Sequence, residues 1–504
     1  WNLALTQDQV NKLMNQEIEK NGALVKGKTI ANDFTDLPWV YLAAYYNFNS
    51  FYGTTIEGQT NNRFFLRLNY LNKTKTLVQP QTAPLPYVTR AEGDWDTPGT
   101  WLNNTVQNIP NSTSLKAEAN VEGNIVQISH DITSGNRDIK VLGLLIDTGK
   151  KLTIANPTVT TPIENNDGQG LRITHYLKLN GILNLVGESQ LIQDEGSVID
   201  NASTGYLDRD QQGTANSFNY NYWSSSVGPI ASSGNSNYTI LGVLKDGSKT
   251  EIPLSINFGS NYRYADGDLS ADGVSQKLSS YWLYKFNGPS GDYNSWFRTN
   301  QISQLVPGEG YTMKGTSGKV SIATKQNYKF RGKPYNGDIS LTISAGNSRL
   351  IGNPYPSAID ADEFILDNIS EGEGRNSVNV FNGVLYFWHH FGDESSHILK
   401  EYVGGYATYT LMGGVEAYST NALINNATPL IGGGKIPERN IAVNQGFFVS
   451  AVKDIDLTGD IIVSGGTIVF KNSQRVFERE RVTAENSDGS VFFKGVKETT
   501  NAKT

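Results

Sequence analysis

Between residues 104 and 206 the chain repeats one device: a short apolar run, then Asn, Gly or Asp, then another run. "NIVQISHDI" (124–132), "IKVLGLLID" (139–147), "KLTIANPTV" (151–159), "LRITHYLKL" (171–179) and "GILNLVGESQLIQDEGSVI" (181–199) follow one another with no strict repeat motif. Each run is too short for a helix and rich in the aliphatic and β-branched residues that suit a pleated surface. Short rungs with turn residues at their corners build a β-solenoid, in which each coil buries its apolar face only against its neighbours. A conventional β-sandwich is the alternative. The expectation is a solenoid-like domain over 91–206.

The rest of the chain is also strand-rich. Its 51 glycines and 25 tyrosines, with abundant Asn, Ser and Thr, favour strands joined by tight turns. A chain of 504 residues is too long for one compact core, so several domains are expected. There are no cysteines, which excludes thiol nucleophiles, disulfide frameworks and Cys-based metal sites. The net charge of −7, with 18% charged residues, attracts neither phosphate backbones nor anionic lipid, so no nucleic-acid partner is expected. No apolar run reaches the roughly 18–20 residues of a transmembrane helix.

One helix stands out, in "WNLALTQDQVNKLMNQEI" (1–18). Thr6 and Gln9 have capping-box spacing, Val10, Leu13, Met14 and Ile18 share a helical face, and Asn21-Gly22 is a stop signal. Residues 23–90 form a strand-rich connector, with "QPQTAPLPY" (79–87) as an extended linker. Beyond 206, similar elements recur in the same order. "NYWSSSVGP" (221–229), "YWLYKFNG" (281–288), "VPGEGYTMKG" (306–315) and "GKVSIATKQNYKFRG" (318–332) precede "LIGNPYPS" (350–357), "VLYFWHHF" (384–391), "VNQGFFVSA" (443–451) and "GTIVFKNSQRVF" (466–477). Two related sandwich-like units, 207–345 and 346–477, and a polar tail, 478–504, are the simplest account.

Four places carry candidate chemistry. In "LIGNPYPSAIDADEF" (350–364), Asp360, Asp362 and Glu363 follow a Pro-rich corner; paired carboxylates can hydrolyse glycosides only at suitable separation in a cleft, and a structural corner is the expectation. In "YADGDLSADGVS" (264–275), Asp266, Asp268 and Asp272 offer oxygen ligands among glycines, so calcium is the one cofactor the spacing accommodates; the bidentate Glu of an EF-hand is missing, and a plain Asp/Gly turn is the competing reading. In "HHFGDESSH" (389–397), His389, His390 and His397 lie near Asp393 and Glu394. A zinc-like ion would need an irregular backbone there, because neighbouring strand residues point to opposite faces, and a hairpin is the simpler reading. Finally Tyr220, Tyr222, Trp223, Tyr262, Tyr264, Tyr281, Trp282, Tyr284, Tyr293 and Trp296 are dense enough to fill a core or to stack on sugar rings. Serine-hydrolase, phosphate-loop and dinucleotide motifs in the right context are missing. Along the solenoid, Lys140, Lys150, Lys151, Arg172, Lys178, His130 and His175 are the groups a glycan-cleaving groove would have to gather.

Two resemblances add an address. "WNLALTQDQV" (1–10) resembles the closing segment of laminin-G-like (concanavalin-like) jelly rolls, which assigns 1–22 to the tail of such a domain and implies a longer protein upstream. "EGDWDTPGTW" (92–101), with "NYWSSSVGP", "LIGNPYPSAIDADEF", "VLYFWHHF", "NQGFFVSA" and "FKNSQRV" in order, resembles Bacteroidota surface proteins exported by the type IX secretion system. That resemblance implies a secreted protein at the outer face of the outer membrane, partnered by the export machinery during secretion. A C-terminal sorting domain is expected to have been cleaved or to lie outside the sequence. It further implies a non-enzymatic structural or adhesive role, through glycans or self-association; a secreted glycan-binding or glycan-cleaving protein is the alternative.

Overall fold

The computed structural model describes residues 1–14, 16–31, 34–48, 52–69, 86–104, 108–114, 119–158, 166–263, 275–392, 394–419, 432–452 and 462–480. Strands dominate, with three short α-helices among the described residues, so the fold is all-β and modular. No helix among the described residues is long and apolar enough to cross a membrane.

The first helix runs Gln7–Met14 and opens with the expected box: Thr6 N–H donates to Gln9 Oε1 (3.0 Å) and Gln9 N–H to Thr6 Oγ1 (3.2 Å). It is shorter than its apolar pattern. Ile18 belongs instead to the strand Ile18–Asn21, which pairs antiparallel with Leu24–Gly27, and Met14 is exposed. Asn21-Gly22 is therefore a hairpin turn, with Gly22 at φ +59° where a side chain would be strained. The helical period extends past the helix because Leu13 and Ile18 pack into one small core with Val25, Phe34, Leu37 and Trp39. Asn2 N–H donates to Tyr41 O, which ties the Trp-Asn stretch to that core.

Residues 87–214 form a two-faced parallel coil. One face stacks Tyr87–Val88, Ile125–Ile128, Ile139–Ile146, Gly170–Leu179 and then Gln190–Gln193 with Val198–Ile199. The other stacks Gly93–Asp94, Ile132–Thr133, Lys151–Ile154, Ile182–Leu185 and Tyr206–Thr214. All these pairings are parallel, and they build aliphatic ladders: Ile132, Leu152, Leu183 and Leu207 form one inward ladder, and Val126, Leu144, Leu177 and Ile199 another. A β-solenoid needs such ladders because each rung is buried only by the next. The corners demand glycine: a Cβ on Gly205 would sit inside the contact radius of Gly181 O, and one on Gly181 would meet Lys150 O.

An antiparallel strand closes the coil. Tyr206–Thr214 pairs with Lys325–Pro334 from Leu207↔Gly332 to Thr214↔Lys325, and the sheet continues to Leu244–Asp246. This covers the open edge that a solenoid otherwise leaves for aggregation.

Strands from either side of residue 345 then mix. One seven-stranded sheet runs Trp296–Arg298, Tyr284–Pro289, Asn347–Gly352, Gly446–Ser450, Leu385–His390, Gly404–Thr410 and Gly413–Val415. Asn287 pairs with Arg349, and Ile339–Ser344 pairs with Gly465–Phe470. The units expected at 207–345 and 346–477 thus share a sheet, and a single cluster of buried apolar residues extends from Trp95 to Phe470. The first residues of the expected tail lie on the solenoid: Arg479 donates to Asp167 O (2.7 Å) and Gly168 O (3.0 Å), and Glu480 N–H to Glu188 Oε2 (2.7 Å).

Candidate functional site

The carboxylates after the Pro-rich corner are structural. Asn353 holds the bend, its Oδ1 accepting from Tyr355 N–H (3.0 Å) and its Nδ2 donating to Ser357 O (2.8 Å). Asp360 then caps the helix Ala361–Leu366, accepting from the N–H groups of Asp362 (3.0 Å) and Glu363 (3.3 Å). It also receives Arg439 through Nη2 at 2.7 Å, and that hydrogen bond raises the guanidinium above its ordinary range. Asp362 accepts from Tyr409 Oη (2.9 Å), and Glu363 pairs with Arg375 (2.7 Å). Asp360 and Asp362 share Arg439, which reaches Asp362 at 3.4 Å, and Glu363 has another arginine. Asp360→Ala is expected to cost about 1 kcal/mol, the worth of a helix cap, in urea unfolding; a loss of several kcal/mol would show that the corner does more than start a helix.

The three histidines occupy three environments. His389 and His390 follow one another on the strand Leu385–His390 and face opposite sides, as period 2 requires. His389 is fully buried beside Phe391 and Gly433. His390 Nε2 accepts from Tyr220 N–H (2.9 Å), which leaves its ring hydrogen on Nδ1, 3.4 Å from Glu394 Oε1. His397 lies stacked on Trp282, with ring centroids 4.5 Å apart. The shared ion site considered for His389, His390 and His397 is not assembled, because alternation along the strand separates the first two. Among the described residues no group of three or more His, Cys, Asp or Glu side chains can hold a metal. Asp266, Asp268 and Asp272, like Tyr264 and Asp393, lie outside the described residues.

Burial holds the His389 imidazole well below its ordinary range, and the charge of Lys435 adds to the effect. The unfolded chain gains a proton as pH falls through about 6.5 while the folded one does not. Stability from this residue is therefore complete above about pH 6.5 and is lost as pH drops toward the folded value, by about 1.4 kcal/mol per pH unit. His389→Gln is expected to flatten that part of the slope between pH 7 and pH 5 in urea titrations. Identical slopes for the two proteins would refute the assignment.

The aromatic residues divide by face. Tyr222 and Trp223 are core, and Trp296 packs edge-on against Phe286 and Phe448. Tyr220, Trp282 and Tyr402 instead surround a cation. Lys314 closes the fully buried strand Tyr311–Lys314, opposite Tyr220 in register. Its Nζ lies 3.7 Å from the Trp282 ring centroid, 4.5 Å from Tyr220 and 5.3 Å from Tyr402. It donates to Tyr402 Oη (2.6 Å) and to His397 Nδ1 (2.9 Å). Ring faces and two acceptors together offset the cost of burying the charge. Burial raises the Tyr220 and Tyr402 phenols, so both keep their protons.

Above this cage an aromatic strip reaches the surface. Tyr281 meets Trp282 edge-on at 4.7 Å, and Tyr262 lies 6.1 Å from Tyr281. Arg298 sits 4.5 Å over Tyr281, and Arg263 5.1 Å over Tyr262. Tyr293, on the short 3₁₀ turn Tyr293–Ser295 that packs on the strand Tyr284–Pro289, is 72% exposed. The exposed rings of Tyr262 and Tyr293 can stack on a sugar ring, and the Arg263 and Arg298 guanidinium groups, which lie over Tyr262 and Tyr281, can donate hydrogen bonds to its hydroxyl or carboxylate oxygens.

The solenoid cations do not converge. Lys140 and Arg172 are neighbours in register, yet Lys140 pairs with Glu122 (2.5 Å) and Arg172 with Asp194 (2.6 Å). Lys178 lies 3.8 Å from Asp200, and His130 Nδ1 is 3.2 Å from Thr89 Oγ1. One surface hollow of about 400 Å³ is lined by Pro98, Trp101, Asn104, Asn108, Ile109, Ser112 and Thr113, with no ionisable group among them.

Sequence reading named most of the strip but not Lys314, Tyr402 or Arg298. The available signal was a lysine ending "YTMK", a run whose other residues belong in a core.

Residues 266–504 match the family model described as Domain of unknown function (DUF8693), a span that includes Tyr281, Trp282, Tyr293, Lys314 and the three histidines but neither Tyr262 nor the solenoid. No match was found among curated proteins or among solved structures.

Proposed function

We propose that this chain is a non-enzymatic structural and adhesive protein of the cell exterior, and that it touches a glycan through the strip formed by Tyr262, Tyr281, Trp282 and Tyr293. One contrast carries the reading. Among the described residues, Asp360, Asp362, Glu363, His390 and His397 are taken up in capping, pairing or stacking roles, while Tyr262 and Tyr293 of the strip remain exposed. Export by type IX secretion to the outer surface of a Bacteroidota cell rests on the resemblance of the ordered motifs from "EGDWDTPGTW" to "FKNSQRV".

The test is a glycan array and a surface-adhesion assay with the wild type and a Tyr281→Ala/Tyr293→Ala variant. Two lost stacking contacts are expected to weaken binding about thirtyfold, at about 1 kcal/mol per ring, with the fold unchanged. Binding that ignores both substitutions would remove the strip from the proposal. Polysaccharide turnover abolished by replacing one carboxylate would overturn the non-enzymatic reading itself.

A further inference from the structure

The strand pair that closes the solenoid buries a lysine, a carboxylate and an amide together. Lys329 and Asp210 are register partners, each with a side chain only 1% exposed, and Lys329 Nζ lies 3.7 Å from Asp210 Oδ1. That separation is long for an ion pair that has given up its water, and a buried pair is weak grounds for stability. The amine's closer neighbours are more informative. Nζ donates to Asn184 Oδ1 (3.1 Å), Thr250 O (2.7 Å) and Thr250 Oγ1 (2.7 Å). Thr250 Oγ1 in turn donates to Asp210 (2.8 Å). Asn327 Nδ2 and Gly187 N–H, each at 3.1 Å, hold Asp210 in place. Asn184 and Thr250 are themselves buried. A nitrogen nucleophile thus rests against the side-chain amide of Asn184, with a proton acceptor one hydroxyl away and water excluded.

We propose that Lys329 and Asn184 become joined by an intramolecular isopeptide bond once the chain has folded, with Asp210 taking the lysine's proton through Thr250. In the first step the ammonium passes a proton to Thr250 Oγ1 as Thr250 passes its own to Asp210, leaving a neutral amine and a neutral acid. The Nζ lone pair then attacks Asn184 Cγ. The Nζ–Cγ bond forms, the Cγ–Nδ2 bond breaks, and Nδ2 takes the second Nζ proton and leaves as ammonia. Nothing is oxidised or reduced, and charge balances because Lys329 and Asp210 both end neutral. The reacting groups are held by the fold before they meet, which is what makes an unactivated amide reachable at all. The bond would fasten a solenoid rung, Ile182–Leu185, to the strand Lys325–Pro334 that leads into the second half of the molecule. It goes beyond the adhesive reading and does not depend on it.

Intact mass spectrometry of the denatured full chain decides the matter without any variant. The expected mass is lower than that of the sequence by one ammonia, and proteolysis should yield one branched peptide containing both Asn184 and Lys329. Lys329→Arg, with folding checked by circular dichroism, should restore the full sequence mass, as should Asp210→Asn. A wild-type mass equal to the sequence mass would overturn the proposal. So would an ammonia loss mapped to a succinimide at another asparagine. Retention of the branched peptide in Asp210→Asn would overturn the part given to Asp210.

Discussion

Arg475→Ala is expected to lower the free energy of unfolding by about 4 kcal/mol, the largest effect of any single side chain considered, because it leaves several buried acceptors unpaired at once. Arg475 is buried where the last described strand, Arg475–Val476, crosses between the solenoid and the second half. Nη2 donates to Leu191 O (2.6 Å) on the solenoid, and Nε to Ser357 Oγ (3.3 Å) beside the Pro-rich corner. Nη1 donates to Asn472 Oδ1 (3.1 Å) and Asn336 Oδ1 (3.3 Å), and the guanidinium lies 4.8 Å over the Tyr355 ring. Burial pushes the group down to about 9, so it is still charged at neutral pH and its loss removes a cation. Arg475→Lys should recover only part of the stability, since a single ammonium cannot reproduce a planar fork. Urea midpoints at pH 7 read both. A shift below about 1 kcal/mol for the alanine variant would mean that the surrounding segments hold together without it.

The second large effect is expected at Lys314. Lys314→Ala removes the stem that fills the space between Tyr220, Trp282 and Tyr402, and it deprives Tyr402 Oη and His397 Nδ1 of their donor. The cavity and the unpaired groups together are expected to cost about 3 kcal/mol. Lys314→Met keeps the stem, so it should cost roughly half as much and separate packing from charge. If the two variants lose equal stability, the ammonium rather than the stem is what the rings require. Near-ultraviolet circular dichroism reports on Trp282 directly and should change in both.

The solenoid was legible because its stability depends on residue type at each rung: Ile132, Leu152, Leu183 and Leu207 must all be aliphatic to stack. The capping box was legible for the same kind of local reason, Thr6 and Gln9 being three residues apart. Ile18 misled because residues 10, 14 and 18 fit a helical period, while the turn at Asn21-Gly22 had already committed Ile18 to a hairpin. The mixing of the two later halves was hidden, since recurring motifs record likeness and say nothing of which strand pairs with which. Asn287 beside Arg349 is a long-range choice of the fold. The lysine cage is the extreme case. Its walls come from Tyr220, Trp282, His397 and Tyr402, and nothing local to Lys314 announces them. The histidines failed as a cluster for the opposite reason, because sequence neighbours on a strand are turned apart.

The strand Lys325–Pro334 has a mechanical consequence. It lies antiparallel along eight consecutive partners of the solenoid's last rung, with interstrand hydrogen bonds perpendicular to the strand direction. Tension drawn along the strand axis loads those bonds in shear, so that many must rupture together, whereas a pull across them would unzip the pair one bond after another. A tether gripped at one end and tugged at the other would therefore hold or yield according to the direction in which it is stretched.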